Sequence, residues 1–172
     1  MTEPLSLHDT LDLLDYRRKV ADLYASVRAA TPGEATWLDW REQRDALFAT
    51  HPQSAIPEEQ RATFERLPYF DYDPTWRVTA ALEPTDGDPL EISHSAEGTT
   101  TARLFALAHF TRHGTEHSLP LYWLDEYSGG LFLPFRDTTS GAETYGGGRY
   151  LLDSAKGADL GGPVVGQLPL DF

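Results

Sequence analysis

The sequence predicts an α+β fold, with N-terminal helices packed on an antiparallel β-barrel-like or strongly curved meander sheet. Three observations predict it. Apolar residues recur every three or four positions up to about residue 67. From Pro68 onward, short runs rich in β-branched and aromatic residues alternate with turn residues. No helical pattern separates those runs, which argues for antiparallel neighbours rather than crossover units. The length of 172 residues suits a single domain, with a helical part over 1–67 and a β part over 68–172.

The first helix is expected over Asp9 to Ala30. Leu13, Tyr16, Val20, Leu23, Tyr24 and Val27 form its apolar face, Asp9 or Thr10 caps it, and Pro32-Gly33 ends it. The second helix is expected to start at Thr36, because Thr36 and Asp39 have capping-box spacing. Trp37, Trp40, Leu47 and Phe48 give it an aromatic face, and His51-Pro52 closes it. Pro57 with Glu58 and Glu59 starts a short third helix, since acidic residues favour a helix N-terminus; Phe64 and Leu67 would anchor it.

Seven strands follow: Arg77 to Leu82, Leu90 to His94, Thr101 to Thr111, His117 to Asp125, Leu131 to Phe135, Arg149 to Asp153 and Val164 to Leu170. Asp86-Gly87, Glu97-Gly98, His113-Gly114, Gly129-Gly130 and Lys156-Gly157 punctuate them. Thr101 to Thr111 is apolar on both parities and reads as a central strand covered on both faces.

Composition narrows the partners. Net charge is −13, from 14 basic and 27 acidic residues, and such a surface repels phosphate backbones and anionic lipid. No nucleic acid and no membrane partner is expected. There is no cysteine, which removes a disulfide scaffold, a thiol nucleophile and a cysteine-type zinc site. The opening MTEPLSLHDTLDLLDY lacks the basic start and apolar run of a signal peptide, so a cytoplasmic location is expected.

Three segments could carry chemistry. Between Phe135 and Tyr150 lie Arg136, Asp137, Thr138, Thr139, Ser140, Glu143, Thr144, Tyr145 and Arg149, with Gly146 to Gly148 just before Arg149. Glycines let a ligand approach the backbone, exposed amides bind anions, and arginine adds a bidentate fork. In a ligand reading, Arg136 and Arg149 hold a small anionic molecule. Asp137 and Glu143 orient it or exchange protons, Ser140 and Thr144 add hydroxyls, and Tyr145 stacks or donates a hydrogen bond. In the rival reading, Arg136–Glu143 or Asp137–Arg149 pairs brace a long loop of a non-enzymatic structural or interaction module. The glycine run matches neither the phosphate-binding loop nor the dinucleotide fingerprint. No cofactor is expected, with flavin mononucleotide kept as a variant of the ligand reading.

The second segment is the histidine set, His8, His51, His94, His109, His113 and His117. His109, His113 and His117 fall on a hairpin, with His113 at its tip; His109 and His117 would face each other if the loop had three residues. Two ligands do not close a zinc site, so no metal is expected. In the third segment, YFDYDPTW from Tyr69 to Trp76, Asp71 and Asp73 alternate with aromatics, and packing plus an Asp-initiated turn is the expected role. No G-x-S-x-G elbow supports a serine nucleophile at Ser140.

WREQRDALFATHPQSAIP, YFDYDP and FLPFRDTTSGAETYGGGRYLLD, in that order, resemble an uncharacterised prokaryotic family, the domain of unknown function numbered sixteen eighty-four. The resemblance runs from about Trp40 to Phe172. It implies no activity. It implies recurrence of Asp73, Pro74, Pro134, Phe135, Arg136, Asp137, Ser140, Gly141, Thr144, Tyr145, Gly148, Arg149 and Tyr150. Members usually continue with an Asn and a Tyr-x-Pro-x-Cys type stretch, so any function needing that stretch lies outside this sequence. A homodimer through the first helix is a further expectation.

Overall fold

The computed structural model describes residues 6–93, 98–125, 127, 129–161 and 166–172. The architecture is α+β: helices at the N-terminus, then a curled antiparallel sheet. Two compact units divide the chain, Met1–Pro74 and Thr75–Phe172. Among the described residues no helix is long and apolar enough to cross a membrane.

In the first unit, α1 spans Leu7–Ala29, α2 Glu34–Thr50 and α3 Glu58–Arg61. Leu23 is buried, and Leu13, Tyr16, Val20, Tyr24 and Val27 are half-buried, as the periodicity implied. Leu7, Leu11 and Leu14 instead lie exposed. The caps differ from expectation. Ser6, not Asp9 or Thr10, caps α1, its Oγ accepting the Asp9 N–H at 3.1 Å. α2 starts two residues earlier, behind Gly33, and no capping box forms: the Thr36 hydroxyl donates to the Thr31 carbonyl and Asp39 accepts from Gln43. α3 is a single turn, so Phe64 and Leu67 lie beyond it rather than anchoring it.

His51 closes α2 and is buried. Its Nδ1 accepts the Gln53 N–H at 3.0 Å, so the proton belongs on Nε2, which faces Asp15 Oδ2 at 3.2 Å. Lys19 on the same Asp15 carboxylate, then His51, holds its pKa below the usual carboxylate range.

In the second unit the strands are β1 Arg77–Pro84, β2 Leu90–Ser93, β3 Thr99–Arg112, β4 Thr115–Leu124, β5 Leu131–Phe135, β6 Arg149–Asp153 and β7 Gln167–Asp171. His94, Glu97 and Val164 lie outside the described residues. The strand order is β6-β5-β4-β3-β1-β7, with β2 paired to the start of β3 and every pairing antiparallel. β3 to β6 form the expected meander, while β7 returns to the far edge beside β1.

The sheet curls because small residues line the inner face of its centre. Ala80, Ala102, Ala106 and Ala108 are buried there, and Leu121, Leu133, Leu152, Leu168 and Leu170 fill the space from the flanking strands. A bulge at Phe105 adds local twist to β3. β3 is central, but it is not covered on both faces. Thr101, Phe105, Leu107 and His109 on its outer parity stay half-exposed, and Arg103 is exposed. At one end of the core, the Phe172 ring packs 5.3 Å from Phe110, 5.5 Å from Phe135 and 5.6 Å from Trp76, centroid to centroid.

Candidate functional site

The segment singled out by its charges is the loop from 136 to 148 that links β5 to β6. Its base is fixed by the sheet. Pro134 has no N–H to give, and it sits where a bulge at Leu151 shifts the β5–β6 register. The next pair is Phe135 opposite Arg149, so the guanidinium lies over the phenyl ring at 4.6 Å.

The loop then folds on Thr139. The Thr139 carbonyl accepts the N–H groups of Ala142, Glu143 and Thr144 at 3.1, 2.9 and 3.0 Å. Asp137 makes an Asx turn, its Oδ1 accepting the Thr139 N–H at 3.0 Å and the Thr139 hydroxyl at 2.5 Å. Arg149 Nη2 donates to Asp137 Oδ2 at 2.6 Å. Arg149 Nη1 donates to Thr139 Oγ1 at 2.9 Å and also to Thr144 Oγ1.

Proton counting makes this a closed circuit. The single Thr139 hydroxyl proton goes to Asp137. Thr144 Oγ1, 3.0 Å from Thr139 Oγ1, must therefore donate to Thr139 while accepting from Arg149. Both Asp137 oxygens are engaged. Burial pushes the Asp137 carboxyl up, but the Thr139 hydroxyl and amide and the Arg149 guanidinium outweigh it and hold the pKa below the usual range. An ionised, saturated carboxylate is a weak general base near neutral pH.

Of the residues read as candidates from sequence, the structure joins Asp137, Thr144 and Arg149 in one network, with Ser140 Oγ accepting the Asp137 N–H at 3.3 Å. Arg136 and Glu143 do not pair: both are exposed, and neither side chain has a hydrogen bond or ion pair among the described residues. Tyr145 is 78% exposed. Gly148 has φ +96°, and a Cβ there would come within 2.8 Å of the Phe135 carbonyl oxygen and 2.7 Å of Arg136 Cγ. Thr139 is the hub that sequence reasoning left out of the candidate set; its signal was the Asp-x-Thr spacing of an Asx turn.

The hairpin histidines separate. The β3–β4 loop has two residues, His113 at φ +48° and Gly114 at φ +77°, not three. His117 therefore opposes Phe110 and stacks on it at 5.2 Å, while His109 opposes Ser118. Adjacent register positions point to opposite faces, so His109 and His117 do not converge. His109 Nε2 lies 3.0 Å from Glu83 Oε2 yet is also buried without a well-directed hydrogen bond, so this is proximity rather than a formed bond. Among the described residues no three His, Asp or Glu side chains gather as a metal site. In the Tyr69–Trp76 segment, Asp71 is exposed, Tyr72 packs on Trp37 at 5.6 Å, and Pro74–Trp76 makes one 3-10 turn.

None of the curated proteins matches the chain. Among solved structures, it is similar to an uncharacterized protein of Haloarcula marismortui determined by solution NMR. That protein is 32% identical, with a TM-score of 0.54, over 80% of this chain and 74% of the other. The family model described as "Protein of unknown function (DUF1684)" matches residues 62–172, which include the whole β5–β6 loop. The chain belongs to this family of proteins of unknown function, DUF1684.

Proposed function

We propose that the chain is a non-enzymatic interaction module whose 136–149 loop is internally braced and presents Arg136, Glu143 and Tyr145 outward. The observation that carries this reading is the closed circuit of Arg149, Thr144, Thr139 and Asp137. It consumes the arginine and the carboxylate that a ligand reading would assign to binding and proton transfer. All three residues are exposed, which suits contact with a partner surface. A rigid loop binds with less ordering entropy to lose than a mobile one.

Amide hydrogen exchange tests the reading. The Ala142, Glu143 and Thr144 amides should be protected in the wild type and should exchange faster in Arg149→Ala. A panel of phosphates and carboxylates should give no thermal stabilisation that depends on Arg149. An anion that stabilises the wild type but not Arg149→Ala, with loop protection unchanged between them, refutes the brace and restores the anionic-ligand reading.

A further inference from the structure

The first unit holds a second arginine whose situation is the reverse of Arg149. Trp37, Trp40, Arg41, Arg44, Asp45 and Phe48 share one face of α2, at spacings of three and four. The segment after α3 is pinned across that face. Asp45 Oδ1 accepts the Leu67 N–H at 3.0 Å and the Tyr69 hydroxyl at 3.3 Å, and Arg44 Nη1 donates to the Tyr69 oxygen at 3.4 Å. The Tyr69 ring meets Trp40 edge-on at 5.6 Å.

Arg41 is caught between these two layers. Its Cζ lies 4.4 Å from the Trp37 ring centroid and 4.6 Å from that of Tyr69. Stacking engages the faces of a guanidinium and leaves its N–H edge in the plane. The Arg41 guanidinium has no hydrogen bond and no ion pair among the described residues. Arg41 lines a shallow, open cleft of about 510 Å³ together with Glu65, Arg66, Pro68, Tyr69 and Asp71. Arg66 supplies a second cation, and neither Glu65 nor Asp71 pairs with either arginine.

We infer that this cleft binds a small oxyanion, a carboxylate or a phosphate, through the in-plane fork of Arg41 with Arg66 as the second cation. Contact with the two rings restricts the rotamers of Arg41, so less of that freedom is lost on binding. A planar fork matches two oxygens of a carboxylate or phosphate at once. Glu65 and Asp71 add acceptors at the rim, which favours a ligand carrying hydroxyl or amino groups beside its anionic head. With a net charge of −13 the whole chain does not steer anions, so recognition rests on direct contact. The assignment is independent of the β5–β6 loop.

The four tryptophans provide the test, because Trp37 and Trp40 lie in the first unit and Trp76 and Trp123 in the second. Inorganic phosphate and succinate are titrated into the full chain while the indole N–H resonances are followed. Saturable shifts are expected at Trp37 and Trp40 with either probe, while Trp76 and Trp123 stay still. Arg41→Ala should weaken binding by about tenfold or more, and Arg149→Ala should leave it unchanged. Should Arg41→Ala not fold, Arg41→Lys, which keeps the charge but loses the fork, and Arg66→Ala should each weaken binding several-fold. The assignment falls if neither probe gives a saturable shift at Trp37. It falls equally if Arg41→Ala, or both Arg41→Lys and Arg66→Ala, bind as the wild type does.

Discussion

Arg149→Ala is the sharpest perturbation of the β5–β6 loop. It removes an ion pair to Asp137 at 2.6 Å, two donations to threonine hydroxyls and a stack on Phe135 at 4.6 Å. The arginine side chain is 30% exposed and that of Asp137 38%, so solvent screening keeps the ion pair at about 1 kcal/mol or less. Each hydroxyl contact adds about 0.5 kcal/mol at the low end of its range, because the threonines regain water when the arginine is gone. The stack adds about 0.5 kcal/mol. The total of about 2 kcal/mol corresponds to a Tm lower by about 4–8 °C for a chain of this length. Thermal melts of Arg149→Ala, Asp137→Ala and the double variant give the coupling, expected at about 1 kcal/mol. A Tm within about 1 °C of wild type for Arg149→Ala, or an Arg149→Ala loss undiminished in the Asp137→Ala background, refutes the brace.

Three other outcomes are expected. The folded Asp137 pKa lies below its unfolded value, so its contribution is complete above the ordinary carboxylate pKa of about 3.9 and is lost as pH falls through the folded value. The Tm gap between wild type and Asp137→Asn should therefore close on acidification below about pH 4. Burial, partly offset by Arg77, raises Asp171 in both proteins, so it cancels in that difference. Gly148→Ala should cost about 2 kcal/mol in urea unfolding, because its φ and its carbonyl neighbour both exclude a Cβ. Gly146→Ala, which meets only ordinary contact, should stay within about 0.5 kcal/mol of wild type in the same assay. His113→Asn should stabilise by about 0.5 kcal/mol in the same measurement, since asparagine accepts the left-handed turn position better than histidine.

Local patterning carried most of the secondary structure. β5 and β6 were legible to the residue, because glycine and loop-forming runs flank them on both sides. The caps were less so: Asp9 or Thr10 was expected to cap α1, and Ser6, an equally good capping type one turn earlier, does so instead. The position of β7 was not legible at all. Hydrophobic alternation states which face of a strand is buried, not which strand it joins, and β7 pairs with β1 at the edge opposite β6. The loop gave up its residue types but not its pairing. Asp137–Arg149 and Arg136–Glu143 were equally open in sequence, and the register that stacks Arg149 on Phe135 decided for the first. The Arg41 cleft was visible only as an aromatic helix face. Its significance depends on Tyr69 arriving from a segment 25 residues from Arg44.

The pairing of β7 with β1 has a consequence for how the sheet is made. Arg77 and Asp171, bridged at 2.9 Å, are 94 residues apart in the chain. During synthesis β1 emerges first, and β3 can cover one of its edges early. Its other edge must wait for nearly a hundred further residues. Throughout that interval the nascent chain shows an unpaired, half-apolar strand edge, the kind of surface on which chains aggregate. Closure of the sheet is thus a late, non-local step, and such steps are slow. The two β1 edges should consequently acquire protection at different times in pulse-labelled refolding, the β3 side before the β7 side.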